Sequence, residues 1–195
     1  LQKGLNAVVA TENNAETSAL YWLAAEFDGR AILLAHRGLR ENITEQGLNH
    51  VIARDDLEGQ SAFYCLAESE EGRKVLAADN GKLINMVSQD SLNAVVQSGY
   101  KRSKSALYSL ANSDDGQGLL LKYESLRKKI LSNGLYDAES QNNVSTHCES
   151  ALLCLARTET GRNILAANEC TLTELIDENS LNYAKPSRGR PESVL

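Results

Sequence analysis

The residues that could do chemistry are few and scattered. The chain contains four cysteines and three histidines, at Cys65, Cys148, Cys154, Cys170, His36, His50 and His147. Their spacing is not that of a zinc site, and the chain has neither a glycine-rich phosphate loop nor a His-Glu-x-x-His motif. We therefore predict no catalytic residue, no bound metal and no cofactor, and we interpret the cysteines as reduced thiols. A reactive Cys148, directly after His147, is the catalytic alternative.

A second group of residues could bind a partner, because its aromatic members recur at a fixed spacing. The phrase Ser-Ala-Leu-Tyr-Trp-Leu-Ala begins at Ser18, and related phrases begin at Ser61, Ser105 and Ser150, at steps of 43, 44 and 45 residues. On a helical wheel, the serine itself and the third, fourth and seventh residues after it lie opposite the apolar positions. We predict that the aromatic and charged residues found there bind a partner: Tyr21, Trp22, Tyr64, Tyr108 and Arg157. The alternative is that the rings pack between adjacent repeats.

The repeated phrase also predicts the elements that hold these side chains. The first, second, fifth and sixth residues after each serine are apolar, which is the spacing of one helix face. A glycine eleven residues after each serine predicts a helix stop, and the arginine that follows it in three copies predicts a helix cap or a pair with nearby acids. A second phrase, Leu-Asn-x-Val-Val or a close variant, begins thirteen residues before the first three serines. Each unit is therefore predicted to contain about three helical pieces.

Such units cannot bury their apolar faces alone, so stacking defines the predicted fold. We predict an all-α, right-handed α-solenoid of about four repeats of 43–45 residues, over residues 1–184, with partial units at both ends. Residues 185–195 contain both prolines and are predicted to be a linker or tail. The chain begins with Leu1 rather than Met, so we interpret it as a piece of a longer protein. Open solenoid ends lead us to expect self-association.

Composition and charge argue against several other classes of protein. A net charge of −6 argues against non-specific nucleic-acid binding, and only Arg188–Pro191 resembles the core of an AT-hook. No apolar run approaches the roughly 20 residues that a membrane span needs. We interpret two basic clusters, 101–104 and 127–129, as solvated helix faces, with binding of an acidic partner or a phosphoinositide as the alternative.

The repeated phrase, with the run Gly-Arg-Asn-Ile-Leu-Ala-Ala from Gly161, resembles armadillo repeats and more loosely HEAT repeats, over roughly residues 1–180. Armadillo proteins are binding scaffolds, so the resemblance implies that the tyrosine-bearing helix is the third helix of each repeat and lines a concave groove. Importin-type members carry tryptophan and asparagine ladders on that helix. Here the tryptophan positions hold the repeated serines, and the asparagine positions hold Trp22, Cys65, Ser109 and Cys154. The resemblance therefore does not imply binding of a nuclear-localisation peptide.

These observations together predict a protein–protein interaction scaffold that binds a partner segment in this groove. The alternative is a regulatory or substrate-recruiting module of a larger enzyme, such as a bacterial effector acting in host cells. The expected location is the cytoplasm, or the host cytosol for an effector.

Overall fold

The computed structural model describes residues 2–10, 16–52, 59–98, 101–136, 150–167, 185–186 and 191–192. These ranges are mainly helical, as predicted. The helices are α1 (Gln2–Asn6), α2 (Ala19–Ala25), α3 (Phe27–Ala35), α4 (Arg37–Glu41), α5 (Glu45–Asn49), α6 (Ala62–Glu68), α7 (Glu70–Asn85), α8 (Gln89–Asn93), α9 (Ala106–Ala111), α10 (Asp114–Lys122), α11 (Glu124–Arg127), α12 (Ser132–Tyr136), α13 (Ala151–Arg157) and α14 (Glu159–Leu165). The strands are β1 (Val9–Ala10), β2 (Glu16–Thr17), β3 (Val95–Ser98), β4 (Lys101–Ser105), β5 (Lys185–Pro186) and β6 (Pro191–Glu192).

These elements repeat in a constant order, and we call each repetition a unit. A short leading helix (α1, α5, α8 or α12) precedes a first helix (α2, α6, α9 or α13), which is followed by a second helix (α3, α7, α10 or α14). First helices of consecutive units contact each other, and so do second helices. Neighbouring units therefore pack side by side through the same two helices.

Each first helix begins at one of the repeated serines, which is its N-cap. The Oγ atoms of Ser18, Ser61, Ser105 and Ser150 accept a hydrogen bond from the backbone N–H three residues later, at 3.0–3.1 Å. This bond satisfies a backbone donor that the helix itself cannot satisfy. The capping geometry explains why a serine recurs, although the helical wheel grouped it with the outward-facing positions.

The repeated glycine is not a helix stop, so that prediction is wrong. Gly29, Gly72, Gly116 and Gly161 are each the third residue of a second helix. A Cβ atom at these positions would overlap the backbone of Leu23, Leu66, Leu110 and Leu155 in the preceding first helix. Glycine therefore allows the two helices of a unit to approach closely at the point where the chain reverses.

The residue after this glycine caps the first helix, which confirms the capping prediction. Side-chain nitrogens of Arg30, Arg73, Gln117 and Arg162 donate to the carbonyl oxygens of Ala24, Ala67, Ala111 and Ala156, at 2.7–3.1 Å. Arg73 Nε also lies 2.7 Å from Asp115 Oδ2 in the following unit. The acidic partner of Arg73 is thus an adjacent unit's carboxylate rather than Glu70 or Glu71.

An asparagine in each of the first three leading helices fastens consecutive units together. The Nδ2 atoms of Asn6, Asn49 and Asn93 donate to the carbonyl oxygens of Asn42, Met86 and Lys129, at 2.7–2.8 Å. Their Oδ1 atoms accept from the backbone N–H of Thr44, Ser88 and Leu131, at 2.7–2.9 Å. These asparagine bridges use both ends of the amide and fix the backbone of one unit against the next.

A β-hairpin lies between leading and first helices, and the sequence analysis did not predict it. β1 pairs with β2 and β3 pairs with β4, both antiparallel. In the second unit Ile52 and Gln60 make a similar backbone contact, with the N–H of Ile52 donating to Gln60 O at 2.8 Å. The basic cluster 101–104 lies in β4, so its interpretation as a helix face is wrong. β-branched residues such as Val95 and Val96 favour this extended conformation.

The turn after the second helix has two forms. In units 1 and 3, Arg40 Nη1 donates to the Leu33 and Leu34 carbonyls at 2.7 and 2.6 Å, and Arg127 Nη1 donates to the Leu120 and Leu121 carbonyls. In unit 2, α7 is broken into two helices by a non-helical stretch at residues 78–81. Three consecutive residues there, Asp79, Asn80 and Gly81, have φ angles of 51°, 58° and 73°.

Candidate functional site

The three tyrosines predicted to bind a partner are buried. Tyr21, Tyr64 and Tyr108 are 4%, 7% and 8% exposed. The hydroxyl of Tyr21 donates to Gln60 Oε1 of the following unit at 2.7 Å. A helical wheel places these rings on the side opposite the apolar face. In the structure, however, each first helix is also contacted by the first helix of an adjacent unit. Tyr21 therefore packs against the following unit, as the alternative in the sequence analysis describes, and the rings of Tyr64 and Tyr108 are buried in the same core.

Burial also sets the acid–base properties of the side chains around Tyr64. Burial, with a smaller contribution from the Glu68 carboxylate, raises the pKa of the Tyr64 hydroxyl above its ordinary value. Burial and then Glu68 raise the pKa of the Cys65 thiol to about 12. A thiol that remains protonated at neutral pH is a poor nucleophile. Cys65 therefore serves as a small packing residue, as does the buried Cys154.

The two other predicted binding residues are exposed. Trp22 is 48% exposed, stacks edge-on against Tyr21 at 5.3 Å between ring centroids, and donates from Nε1 to Thr17 Oγ1 at 3.2 Å. Arg157 is exposed at the end of α13. Only these two of the five predicted residues are exposed, and they lie in the first and fourth units, so the five residues do not form one exposed surface.

A different exposed surface does extend through four consecutive units. We call it the turn ridge, and it comprises the turns between first and second helices at residues 25–28, 68–71, 112–115 and 157–160. Because first and second helices each contact their counterparts in the next unit, these turns are neighbours. The ridge carries eight carboxylates, of which all but the half-buried Glu71 are exposed: Glu26, Asp28, Glu68, Glu70, Glu71, Asp114, Asp115 and Glu159.

The carboxylates of the ridge have local structural roles as well. Acids in the first turn of α7, α10 and α14 stabilise the helix N-terminus through the helix dipole. Glu70 Oε1 lies 2.6 Å from Lys74 Nζ. Burial acts to raise the pKa of Asp115, but the hydrogen bond and charge of Arg73 outweigh it and hold that pKa below its ordinary value. Asp115 is therefore ionised at neutral pH, and the ridge contains eight acidic side chains and one basic side chain, Arg157.

The remaining sequence candidates form no further site among the described residues. His36 is exposed, and His50 Nε2 lies 3.9 Å from Glu16 Oε2. Within the described ranges, no group of three or more His, Cys, Asp or Glu residues could hold a metal ion. His147, Cys148, Cys170 and the segment 188–190 of the AT-hook-like tail lie outside the described residues.

Sequence reasoning missed both the asparagine bridges and the turn ridge. The recurrence of asparagine in the phrase Leu-Asn-x-Val-Val was visible, but a side chain that binds distant backbone leaves no periodic signal of its own. The acids of the ridge were noticed only as neighbours of Arg30, Arg73 and Arg162. The signal that could have revealed the ridge is that acidic residues recur in every repeat between the repeated serine and the repeated glycine.

Comparison with known proteins identifies no relative of this chain. No family model, no curated protein and no solved structure matches it. None of the described helices has the length and apolar character that crossing a membrane requires. A functional proposal therefore rests on the repeated helical units and on the turn ridge.

Proposed function

We propose that the chain is a protein–protein interaction scaffold that binds a basic segment of a partner protein along the turn ridge. The observation that carries the proposal is the repetition of one exposed, acidic turn in four units whose helices contact in series. A linear array of carboxylates at regular spacing suits a partner segment rich in lysine and arginine, because complementary charge increases both association rate and specificity. The first three units are also joined by asparagine bridges, which hold consecutive turns in fixed relative positions.

The series of helix contacts supports a right-handed α-solenoid of about four helical repeats as the overall arrangement. Armadillo units consist of helices alone, whereas ankyrin units join a β-turn to two helices. The hairpins before α2 and α9 have no counterpart in the armadillo pattern, but the repeat length of 43–45 residues is that of armadillo and HEAT units and not the roughly 33 residues of an ankyrin unit. In both patterns the repeats form extended binding surfaces, so the proposed function does not depend on the choice.

Placing the partner on the ridge differs from the groove inferred from the armadillo resemblance. The groove would be lined by the first helices, whose tyrosines are buried and offer little contact area. The first residue of each ridge turn differs between units: it is the half-buried Ala25 in unit 1 and the exposed Glu68, Asn112 and Arg157 in units 2 to 4. Such variation next to constant packing residues is compatible with recognition of a particular sequence.

Fluorescence anisotropy with a labelled peptide of four Lys-Lys-Ala repeats tests this proposal, with a Glu-Glu-Ala peptide as the control ligand. We expect the lysine peptide to bind, the glutamate peptide not to bind, and the affinity to fall with added salt. The double variant Glu70→Gln/Asp114→Asn should weaken binding about fivefold, from roughly 0.5 kcal/mol for each exposed charge pair.

The matched control is Glu45→Gln/Asp90→Asn, which removes the same charge from the first turns of α5 and α8, outside the ridge. We expect this control to retain most of the affinity. Equal weakening by the two double variants would mean that net charge, and not the ridge, attracts the peptide. The proposal also fails if the lysine peptide does not bind at low salt.

A further inference from the structure

Three apolar residues form an exposed stripe on one side of α3 in unit 1. Phe27, Ala31 and Leu34 follow each other at helical spacing, so they lie on the same helix face. All three are exposed, Phe27 at 62% and Leu34 at 39%. At about 1.5 Å per residue, they extend for about 10 Å along the helix. We call them the apolar stripe, and because Phe27 belongs to the turn at residues 25–28, the stripe begins on the turn ridge.

The exposure of the stripe is a property of its position in the unit. The equivalent residues of units 2 to 4 are Glu70, Lys74 and Ala77, then Asp114, Gly118 and Leu121, and then Glu159, Asn163 and Ala166. All are exposed except the half-buried Ala77, although each of these units has another unit packed before it. A preceding unit therefore leaves this side of the second helix open to solvent. The exposed Ile32 is not part of the stripe, since the equivalent Val75 is fully buried.

Among the four described units, only unit 1 is apolar at all three positions. The first position is a carboxylate in the others, namely Glu70, Asp114 or Glu159. In unit 2, Glu70 Oε1 lies 2.6 Å from Lys74 Nζ, so the first two positions form an ion pair. In unit 3, Leu121 is exposed, but glycine and aspartate precede it on the same side of the helix. Unit 1 thus replaces a polar surface by an apolar one.

Carboxylates flank the apolar stripe where it meets the turn ridge. Glu26 and Asp28, on either side of Phe27, are both exposed. The next turn of the ridge, at residues 68–71, adds three more acids. Such charges repel the anionic headgroups of a membrane surface and attract a cationic segment of a protein. An apolar surface among them suits apolar side chains that belong to the same cationic segment.

We propose that the apolar stripe binds apolar side chains of the same basic segment that the turn ridge binds. This inference rests on the proposed function and specifies its partner. The partner is a segment in which about three mainly apolar residues, enough to span about 10 Å when extended, adjoin a run of lysines and arginines. The basic residues contact the carboxylates of the ridge, and the apolar residues fix the position of the segment at unit 1.

Fluorescence anisotropy with two labelled peptides of equal charge tests this inference. One peptide carries Leu-Ala-Leu and the other Ser-Ala-Ser in front of four Lys-Lys-Ala repeats. We expect the leucine peptide to bind about tenfold more tightly, because its leucines cover the exposed parts of Phe27 and Leu34. This preference should persist when salt is added, since salt screens the charged contacts that the two peptides share.

The double variant Phe27→Gln/Leu34→Gln removes the stripe without changing the charge. It should lose the preference for the leucine peptide and keep its affinity for the serine peptide, which also shows that it folds. The matched control is Val9→Gln/Leu121→Gln, since Val9 and Leu121 are 60% and 43% exposed and lie outside the stripe. This control should keep the tenfold preference.

The serine peptide by itself tests the ridge: if it does not bind the unmodified chain at low salt, the proposed function fails. Equal affinities of the two peptides for the unmodified chain contradict only the inference about the stripe. A tenfold preference that survives in Phe27→Gln/Leu34→Gln contradicts it as well. So does a control variant that loses the preference, because the leucines would then bind elsewhere.

Discussion

The turn after the second helix is built by side chains in units 1 and 3 and by the backbone in unit 2. Arg40 and Arg127 are each buried two residues before the carbonyl that accepts the asparagine bridge, and each guanidinium caps two carbonyls of the second helix. Ile84 stands at the same place in unit 2 and is fully buried. There, the left-handed residues Asp79, Asn80 and Gly81 end the helix instead.

The length of the chain between bridge residues explains this difference. The Nδ2 atoms of Asn6 and Asn93 each donate to a carbonyl oxygen 36 residues further along, whereas Asn49 Nδ2 donates to the carbonyl oxygen of Met86, 37 residues further along. Unit 2 thus has one additional residue within the same span. A run of left-handed residues shortens the path of the backbone and absorbs that residue, so the bridge geometry is preserved. All three units therefore make the same asparagine bridge, although the second helix ends at a capping arginine in units 1 and 3 and at left-handed residues in unit 2.

The largest effect is expected from Arg127→Met, which leaves the carbonyls of Leu120 and Leu121 without their donor. Removing the donor should lower the free energy of unfolding by about 2–4 kcal/mol, from one buried acceptor at roughly 1–3 kcal/mol and one partly buried acceptor at about 1 kcal/mol. Urea unfolding followed by circular dichroism measures it, with the exposed Lys128→Met as control. A loss under about 1 kcal/mol would show that unit 3 tolerates an apolar residue there as unit 2 does.

Gly81→Ala tests the backbone solution of unit 2. The residue has a φ of 73°, and a Cβ would overlap the ring of Tyr123 in unit 3. We expect a loss of about 2–4 kcal/mol from the left-handed conformation together with the steric conflict. Gly38 lies at the matching place in the helix α4 of unit 1, with open space around it, so Gly38→Ala should be stabilising by roughly 0.5–1 kcal/mol. Effects of equal sign at the two glycines would contradict the comparison.

A smaller effect is expected at Asn80, whose φ of 58° is better tolerated by asparagine than by alanine. Asn80→Ala should lower the free energy of unfolding by about 1 kcal/mol. Arg37 is the counterpart in unit 1, is exposed and lies in a helix, so Arg37→Ala should change it by less than about 0.5 kcal/mol. Thermal and urea unfolding of the two variants measures the difference, and equal losses would show that the left-handed conformation carries no cost.

The smallest effect is expected at Asp79, whose carboxylate joins the turn of unit 2 to Arg40 in the turn of unit 1. Arg40 Nε donates to Asp79 Oδ2 at 2.8 Å, and this hydrogen bond holds the pKa of Asp79 below its ordinary value. The folded pKa is lower than the unfolded one, about 3.9, so the pair stabilises the fold above that pH and stabilises it less as pH falls through the folded pKa. Asp79→Asn should therefore be destabilising at pH 7 and progressively less so below about pH 4. Urea unfolding at both pH values checks this, and a constant difference contradicts it.

The sequence was sufficient to predict the repeated helical units, because the apolar positions around Leu20, Leu66 and their counterparts keep one spacing. It did not predict which residues would be exposed. Tyr64 is buried because two neighbouring units cover its helix, and a helical wheel contains no neighbours. Trp22 is exposed, although its counterpart Cys65 is buried beside Tyr21 of the preceding unit. The same position in the repeat therefore has two environments.

The hairpins and the glycine show a second limit of sequence reasoning. Val95 and Val96 are the only two residues of clear β-propensity in β3. A run of two residues is too short to show the alternating pattern by which a strand is recognised in a sequence. Gly72 lies within a helix, and glycine is required there because a Cβ atom would overlap the backbone of Leu66 in the preceding helix. Close approach between distant backbone segments is a property of packing, so sequence spacing alone suggested a helix end.

The asparagine bridges have a consequence for how this chain can change in length. Each bridge spans the two main helices of a unit, and in units 1 and 3 a hairpin lies between the bridging asparagine and the next capping serine. Residues added between the two strands of a hairpin cost mainly loop-closure entropy, about 0.6 kcal/mol for each doubling of loop length. We therefore expect that foreign sequence, such as a grafted peptide or a tag, can be inserted between these strands while the asparagine bridges and the contacts between units are kept.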